Sequence, residues 1–108
     1  MGKPARTLTL AIESLLTLKR WMVIKPGSGC ARNRKGDFYR IGQPGVSDII
    51  AWKPKPGGGV YLICCEVKAG KDRVSDAQSA WLGKAAAQGA FCIVARSCED
   101  VEQRLQEL

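Results

Sequence analysis

The chain contains no histidine. This removes the usual general base near neutral pH, a Ser-His-Asp triad, and any imidazole ligand for a metal. Catalysis, if present, must rest on carboxylates, lysine or a hard metal ion. Long apolar runs are missing too. Nothing approaches the roughly 20 residues of a membrane span, and the N-terminus has no compact apolar stretch ending in a small-residue cleavage site. The expectation is a soluble, cytoplasmic protein without a membrane partner. Five cysteines, at 30, 64, 65, 92 and 98, form no C-x-x-C pair. Neither a disulfide framework nor a tetrahedral zinc site is indicated, so they read as reduced thiols in or near the core. Acidic residues are scarce in the first part of the chain. Residues 1–47 hold nine Lys/Arg against Glu13 and Asp37, whereas residues 48–108 hold eight of each sign, so the whole net charge of +7 lies before Asp48.

With 108 residues and 45% hydrophobic content, the chain fits one domain, 1–108, able to bury a core. Its densest basic stretch carries Arg32, Arg34, Lys35 and Arg40 around Phe38 and Tyr39. Cations interleaved with aromatics suit a phosphate-backbone contact surface. A solvated basic loop that aids solubility explains the cluster alone equally well.

Residues 7–20 place Leu8, Ile12, Leu15 and Leu16 at helical spacing, with Thr7 as N-cap and Lys19-Arg20 at the C-terminal end. Glu13 lies at the edge of that stripe, where a solvated surface glutamate is the plain reading. A short strand is expected at 21–24. Residues 25–47 read mostly as loop, with strand character at 38–41, and the turn 42–45 leads to Asp48. Ser75-Asp76-Ala77-Gln78 matches a capping box and opens a helix through Gln88, closed by Gly89, which by itself accounts for Gln78. A buried strand at 90–95 and a final helix capped at 97–100 complete the order: helix, mostly loop, β-hairpin, helix, strand, helix.

The hairpin is the feature with chemical content. Asp48 heads the apolar strand 48–52, and the Pro/Gly-rich stretch 53–59 reverses the chain into a second strand ending in Glu66-Val67-Lys68. Glu66 and Lys68, at i and i+2, share one face of that strand, about 7 Å apart at Cα. Closing the loop from Lys53 to Val60 sets Asp48 opposite Cys65 or, with a one-residue slip, opposite Glu66. Val60, Leu62 and Cys64 share the Glu66 face while Tyr61, Ile63, Cys65 and Val67 take the other, so the strand is expected to be central and covered on both sides. Charges ending so apolar a strand are costly to bury unpartnered, which points to a metal or substrate. Emergence into solvent at the strand end is the alternative for Glu66 and Lys68 taken in isolation.

Gly45-Val46-Ser47-Asp48, Glu66-Val67-Lys68 and Ser75-Asp76-Ala77-Gln78, taken together, resemble the PD-(D/E)xK nucleases, and within them a stand-alone VRR-Nuc (virus-type replication-repair nuclease) domain. The likeness spans nearly the whole chain. Its one departure is Ser47, where the family more often has proline. The resemblance implies an α/β restriction-endonuclease-like fold: a central mixed β-sheet flanked by helices, with an antiparallel hairpin carrying the active site. It further implies that Asp48, Glu66 and the Val67 backbone carbonyl bind metal, that Glu13 matches the family's first-helix carboxylate ligand, that Lys68 acts on the attacking water, and that Gln78 supports the site. Mg²⁺ or Mn²⁺ suits such oxygen donors.

The expected function is metal-dependent DNA endonuclease activity, with branched DNA such as a Holliday junction as substrate and a homodimer as the active form. The alternatives are a less structure-selective DNA nuclease and a non-catalytic nucleic-acid-binding module, the latter motivated by the basic N-terminal half.

Overall fold

In the computed structural model the described residues are 2–26, 29–41 and 43–108; within 29–32 and 38–41 the description covers the backbone alone. Helix α1 runs Lys3–Leu18 from an N-cap at Gly2. The expected start at Thr7 is corrected: Pro4 sits in the first turn, where its missing N–H costs nothing, and the Thr7 hydroxyl donates back to the Lys3 carbonyl at 3.1 Å. The helix closes through Arg20, which takes φ +71°, with Trp21 N–H donating to the Leu16 carbonyl at 3.0 Å. That left-handed residue with its long back-bond is a Schellman-type end, and it turns the chain into the sheet.

Strand β1 (Met22–Ile24) follows. The described residues within 25–47 lie mostly outside regular structure, and the strand expected at 38–41 forms, but it has a partner that was not expected: β2 (Gly29–Arg32) and β3 (Phe38–Ile41) pair antiparallel as a separate two-stranded ribbon. Asn33 closes its tip: the side-chain oxygen accepts from the backbone N–H groups of Lys35 (2.9 Å) and Asp37 (3.0 Å), and Gly36 takes φ +86°. Strand content was expected only at 38–41 because Gly-Cys-Ala-Arg has no alternation to mark it. Among the described residues the ribbon packs against no other helix or strand.

The main sheet is built from β1, β4 (Ile49–Pro54), β5 (Val60–Val67) and β6 (Phe91–Ala95) in the order β1-β4-β5-β6; β1, β4 and β5 are antiparallel neighbours, and β6 lies parallel to β5. Helix α2 (Asp76–Ala87) makes the crossover that a parallel pair requires, and α3 (Cys98–Leu105) ends the order. The chain is thus an α/β protein with a mixed four-stranded sheet flanked by three helices. Helices α1 and α3 cover one face, where Ile12 and Leu16 meet Ile49, Ala51, Ile63, Cys65, Ile93 and Val101. Helix α2 covers the other face, but only over β5 and β6.

Two expectations about this sheet are corrected. β5 is central, yet it is buried on both faces only from Ile63 onward, since Val60 and Leu62 are exposed beyond the reach of α2. β6 is an edge strand that buries Ile93 and Ala95 while Val94 faces outward. Periodicity marks an apolar residue but not whether an element arrives to cover it.

Candidate active site

The pairing Ile49↔Cys65 fixes the hairpin register and, carried one residue further, sets Asp48 opposite Glu66. The second of the two expected registers is therefore the one formed. The loop explains it: Lys55 N–H donates to Gly59 O at 3.0 Å, and Gly57, Gly58 and Gly59 all take positive φ, so the strands close on Pro54↔Val60. Asp48 sits just before β4, and its Oδ2 accepts from the Val67 backbone N–H at 2.8 Å, tying the two strands where the sheet opens. Lys68, just past β5, stays anchored because its N–H donates to the Ala95 carbonyl at 2.9 Å.

Glu66 is the centre of the arrangement. Its side chain is 1% exposed, and Lys68 Nζ stands 3.6 Å from its Oε1 while being itself 12% exposed. The Gln78 Nε2 donates to the same Oε1 at 3.0 Å. Gln78 also fulfils the capping box: its Oε1 accepts from Ser75 N–H (2.9 Å), and its own N–H donates to Ser75 Oγ (3.1 Å). One carboxamide thus caps α2 with its oxygen and holds Glu66 with its nitrogen. The other oxygen of Glu66, Oε2, is buried with no hydrogen-bond partner among the described residues.

Electrostatics agree with that orphaned atom. Burial first, then a hydrogen bond that the protonated Glu66 carboxyl can share with Asp48, and then the Asp48 charge, push Glu66 from 4.5 up to about 8, while Lys68 pulls against the shift without cancelling it; the Oε2 without a partner is thus that of the ionised form. Behind the pair, burial and the same two carboxylates push the Cys65 thiol up to about 12, and burial with the neighbouring Cys92 pushes Cys64 up to about 11. These thiols are inert packing groups at neutral pH. Cys64, Cys65, Cys92 and Cys98 are all free, as the spacing suggested.

Gly45 explains the first part of the Gly45-x-x-Asp48 pattern. It takes φ +79°, and a Cβ there would stand 2.3 Å from the Ala77 carbonyl oxygen. Only glycine lets the chain leading to Asp48 lie against the first turn of α2, which presents Gln78. Ser47, in the position where proline was noted as commoner, is buried and donates to the Ile49 carbonyl at 3.1 Å.

Glu13 is not gathered with the others. It pairs with Lys25 at 3.2 Å, and among the described residues no three His, Cys, Asp or Glu side chains cluster to hold a metal. Arg34 and Lys35 are exposed at the tip of the β2–β3 ribbon, whereas the side chains of Arg32 and Arg40 lie outside the described part. Arg96 is a further site-supporting residue, one that no sequence motif marks. Its guanidinium donates to the carbonyls of Gly70 (3.0 Å) and Asp72 (2.7 Å) and so clasps the loop that follows Lys68. Nothing local marks an arginine for that contact, because its partners lie more than 20 residues away.

The VRR-NUC domain profile matches residues 11–99. The chain belongs to the VRR-NUC domain family. The matched segment runs from within α1 into the first turn of α3 and takes in Asp48, Glu66, Lys68 and Gln78. No curated protein and no solved structure matches the chain. Membership of the VRR-NUC family implies a nuclease-type function and DNA binding, and nucleases of this kind generally use divalent metal ions. The residues present fit such an ion. The donors facing one another are oxygens only, as a hard cation prefers, and the raised Glu66 carboxyl, buried beside a second carboxylate, is a group whose charged form a bound cation would stabilise.

Proposed function

We propose that this VRR-NUC domain is an Mg²⁺- or Mn²⁺-dependent DNA endonuclease acting on branched DNA as a homodimer. The observation that carries the reading is the unpartnered, buried Oε2 of Glu66, placed opposite Asp48 and beside Lys68. Asp48 and Glu66 would hold the ion with the Val67 carbonyl, and Glu13 is the further carboxylate that would join them by releasing Lys25. The bound ion would acidify a water and offset charge on the phosphate. Gln78 keeps Glu66 oriented, and Lys68 stands where it can orient a nucleophile or take its proton. Arg32, Arg34, Lys35 and Arg40 would track the DNA backbone from the β2–β3 ribbon, whose tip offers Arg34 and Lys35 to solvent.

The homodimer has its own support. On the part of the face that α2 leaves bare, the pairings Met22↔Trp52↔Leu62 and Pro54↔Val60 align apolar side chains, with Ile24 beside them: Met22 is 61%, Ile24 47%, Val60 53% and Leu62 39% exposed. No charged residue interrupts those rows, which suits a protein surface and not a phosphate backbone. A standard interface needs about 800 Å² per partner around such an apolar centre. A second copy across this face would give the two sites that paired cuts in a four-way junction require.

The test is cleavage of labelled four-way junction, flap, duplex and single-stranded DNA with Mg²⁺, Mn²⁺ or EDTA. Metal-dependent cutting with the junction preferred is expected. Cutting that persists in EDTA would refute the metal role, and equal rates on duplex and junction would leave a nuclease without selectivity for branches.

A further inference from the structure

A second concavity lies along the outer side of α2, between that helix and the Gln43-Pro44 turn, with a volume of about 570 Å³. It is lined by the apolar Pro44, Ala77, Trp81 and Ala85 and by the polar Gln43, Lys84 and Gln88. Trp81 is half-buried, and its indole N–H donates to Gln43 Oε1 at 2.9 Å, so the ring is held in one orientation. The hollow shares no lining residue with the candidate active site, and the two are joined by the elements that build both, α2 and the turn before β4. Ala77, in its wall, is the residue that Gly45 packs against; the next residue, Gln78, holds Glu66; and the turn that forms the opposite wall leads directly to Asp48.

We infer that this groove is a subsite for one unpaired nucleotide next to the phosphate that is cut, with its base against Trp81. The inference rests on the nuclease reading above and adds to it what lies beside the cut: a nucleotide out of the duplex stack. The chemistry of the lining selects that occupant. A fixed aromatic face in an apolar slot accepts a base of any sequence by stacking, while carboxamides in the lining offer both donors and acceptors to a base edge. The single cation, Lys84, matches one phosphate, whereas a duplex backbone would need a charged track that these walls lack. The volume lies in the range of small-ligand pockets, and a base must leave the duplex stack before its face can lie against Trp81.

The experiment uses the intact protein in EDTA, so that binding is read apart from cleavage, with forked DNA carrying a short unpaired stretch at the branch. 2-Aminopurine is placed at each unpaired position in turn, and its fluorescence is followed as protein is added. One position is expected to change strongly, and an abasic residue there to weaken binding roughly tenfold. Trp81→Leu, which keeps apolar bulk without a ring, should weaken binding to the intact fork by the same factor and cost nothing more on the abasic fork. Trp81→Phe should recover most of the affinity. Unchanged affinity in folded Trp81→Leu, or losses from the variant and the abasic residue that multiply, would overturn the subsite and leave the nuclease standing. Failure of the wild-type protein to bind any DNA, both in EDTA and with Ca²⁺ supplied in place of Mg²⁺, would remove the nuclease reading and the subsite with it.

Discussion

At the residue scale, Glu66 places function and stability in opposition. Its carboxyl titrates higher in the folded protein, at about 8, than the ordinary 4.5, so the native state binds its proton more tightly than the unfolded chain does. The corresponding stability is fully present below about pH 4.5 and is lost as pH rises towards 8. For metal-free protein in EDTA, urea unfolding should therefore show stability falling across that window by on the order of a few kcal/mol. Glu66→Gln mimics the protonated form and should remove the slope, leaving the variant more stable than wild type at pH 8 and unable to cut DNA. The pull of Lys68 is already included in the net shift, so losing that partner does not reverse the sign. A variant less stable than wild type at pH 8 would show that the charged form is not the strained one.

At the element scale, the site depends on α2 docking against the segment before β4. Gly45→Ala adds a Cβ 2.3 Å from the Ala77 carbonyl on a backbone at φ +79°, and backbone cannot yield as a flexible side chain can. The conformational penalty alone is roughly 1 kcal/mol, and the clash raises the expected loss to about 2–4 kcal/mol. Gly58→Ala serves as the control, since φ there is also positive (+117°) but nothing lies within 4 Å, so only the conformational part should appear. Among molecules still folded, Gly45→Ala should also lower cleavage, because moving the first turn of α2 draws Gln78 from Glu66. Equal stability losses in the two variants, from thermal melts, would show that α2 does not rest on Gly45. The capping box of α2 was legible from Ser75-x-x-Gln78 because it is local. The site role of Gln78 was legible only through the family resemblance, since locally the capping box already explained the residue, and its contact with Glu66 appears only in the fold.

At the scale of the whole molecule, one face of the sheet is covered by two helices and the other by one helix over half its width. Leu62→Lys together with Met22→Lys places charge on the bare half without entering the core, since both side chains are exposed. Melting should therefore change little, whereas light scattering should move from dimer to monomer, and junction DNA should be nicked singly instead of in pairs. A wild-type protein that is monomeric both alone and on junction DNA would eliminate the homodimer.

The amino-acid sequence by itself determined what depends on near neighbours. Helical spacing made α1 visible, Ser75 and Gln78 made the start of α2 visible, and the Pro/Gly loop made the β4–β5 hairpin visible, which brought Asp48 to within one residue of Glu66. The absence of histidine confined any chemistry to carboxylates, lysine and a hard metal ion. Only the tertiary structure decided the rest. Loop hydrogen bonds selected the register that sets Asp48 opposite Glu66, and the docking of α2 determined which carboxylate Gln78 would hold. The ion pair of Glu13 with Lys25 and the clasp of Arg96 on the loop after Lys68 join residues far apart in sequence. The physical reason is range. Propensity and periodicity act over a few residues, whereas burial, a raised carboxyl pKa and an orphaned oxygen exist only once distant segments have excluded water from the same place.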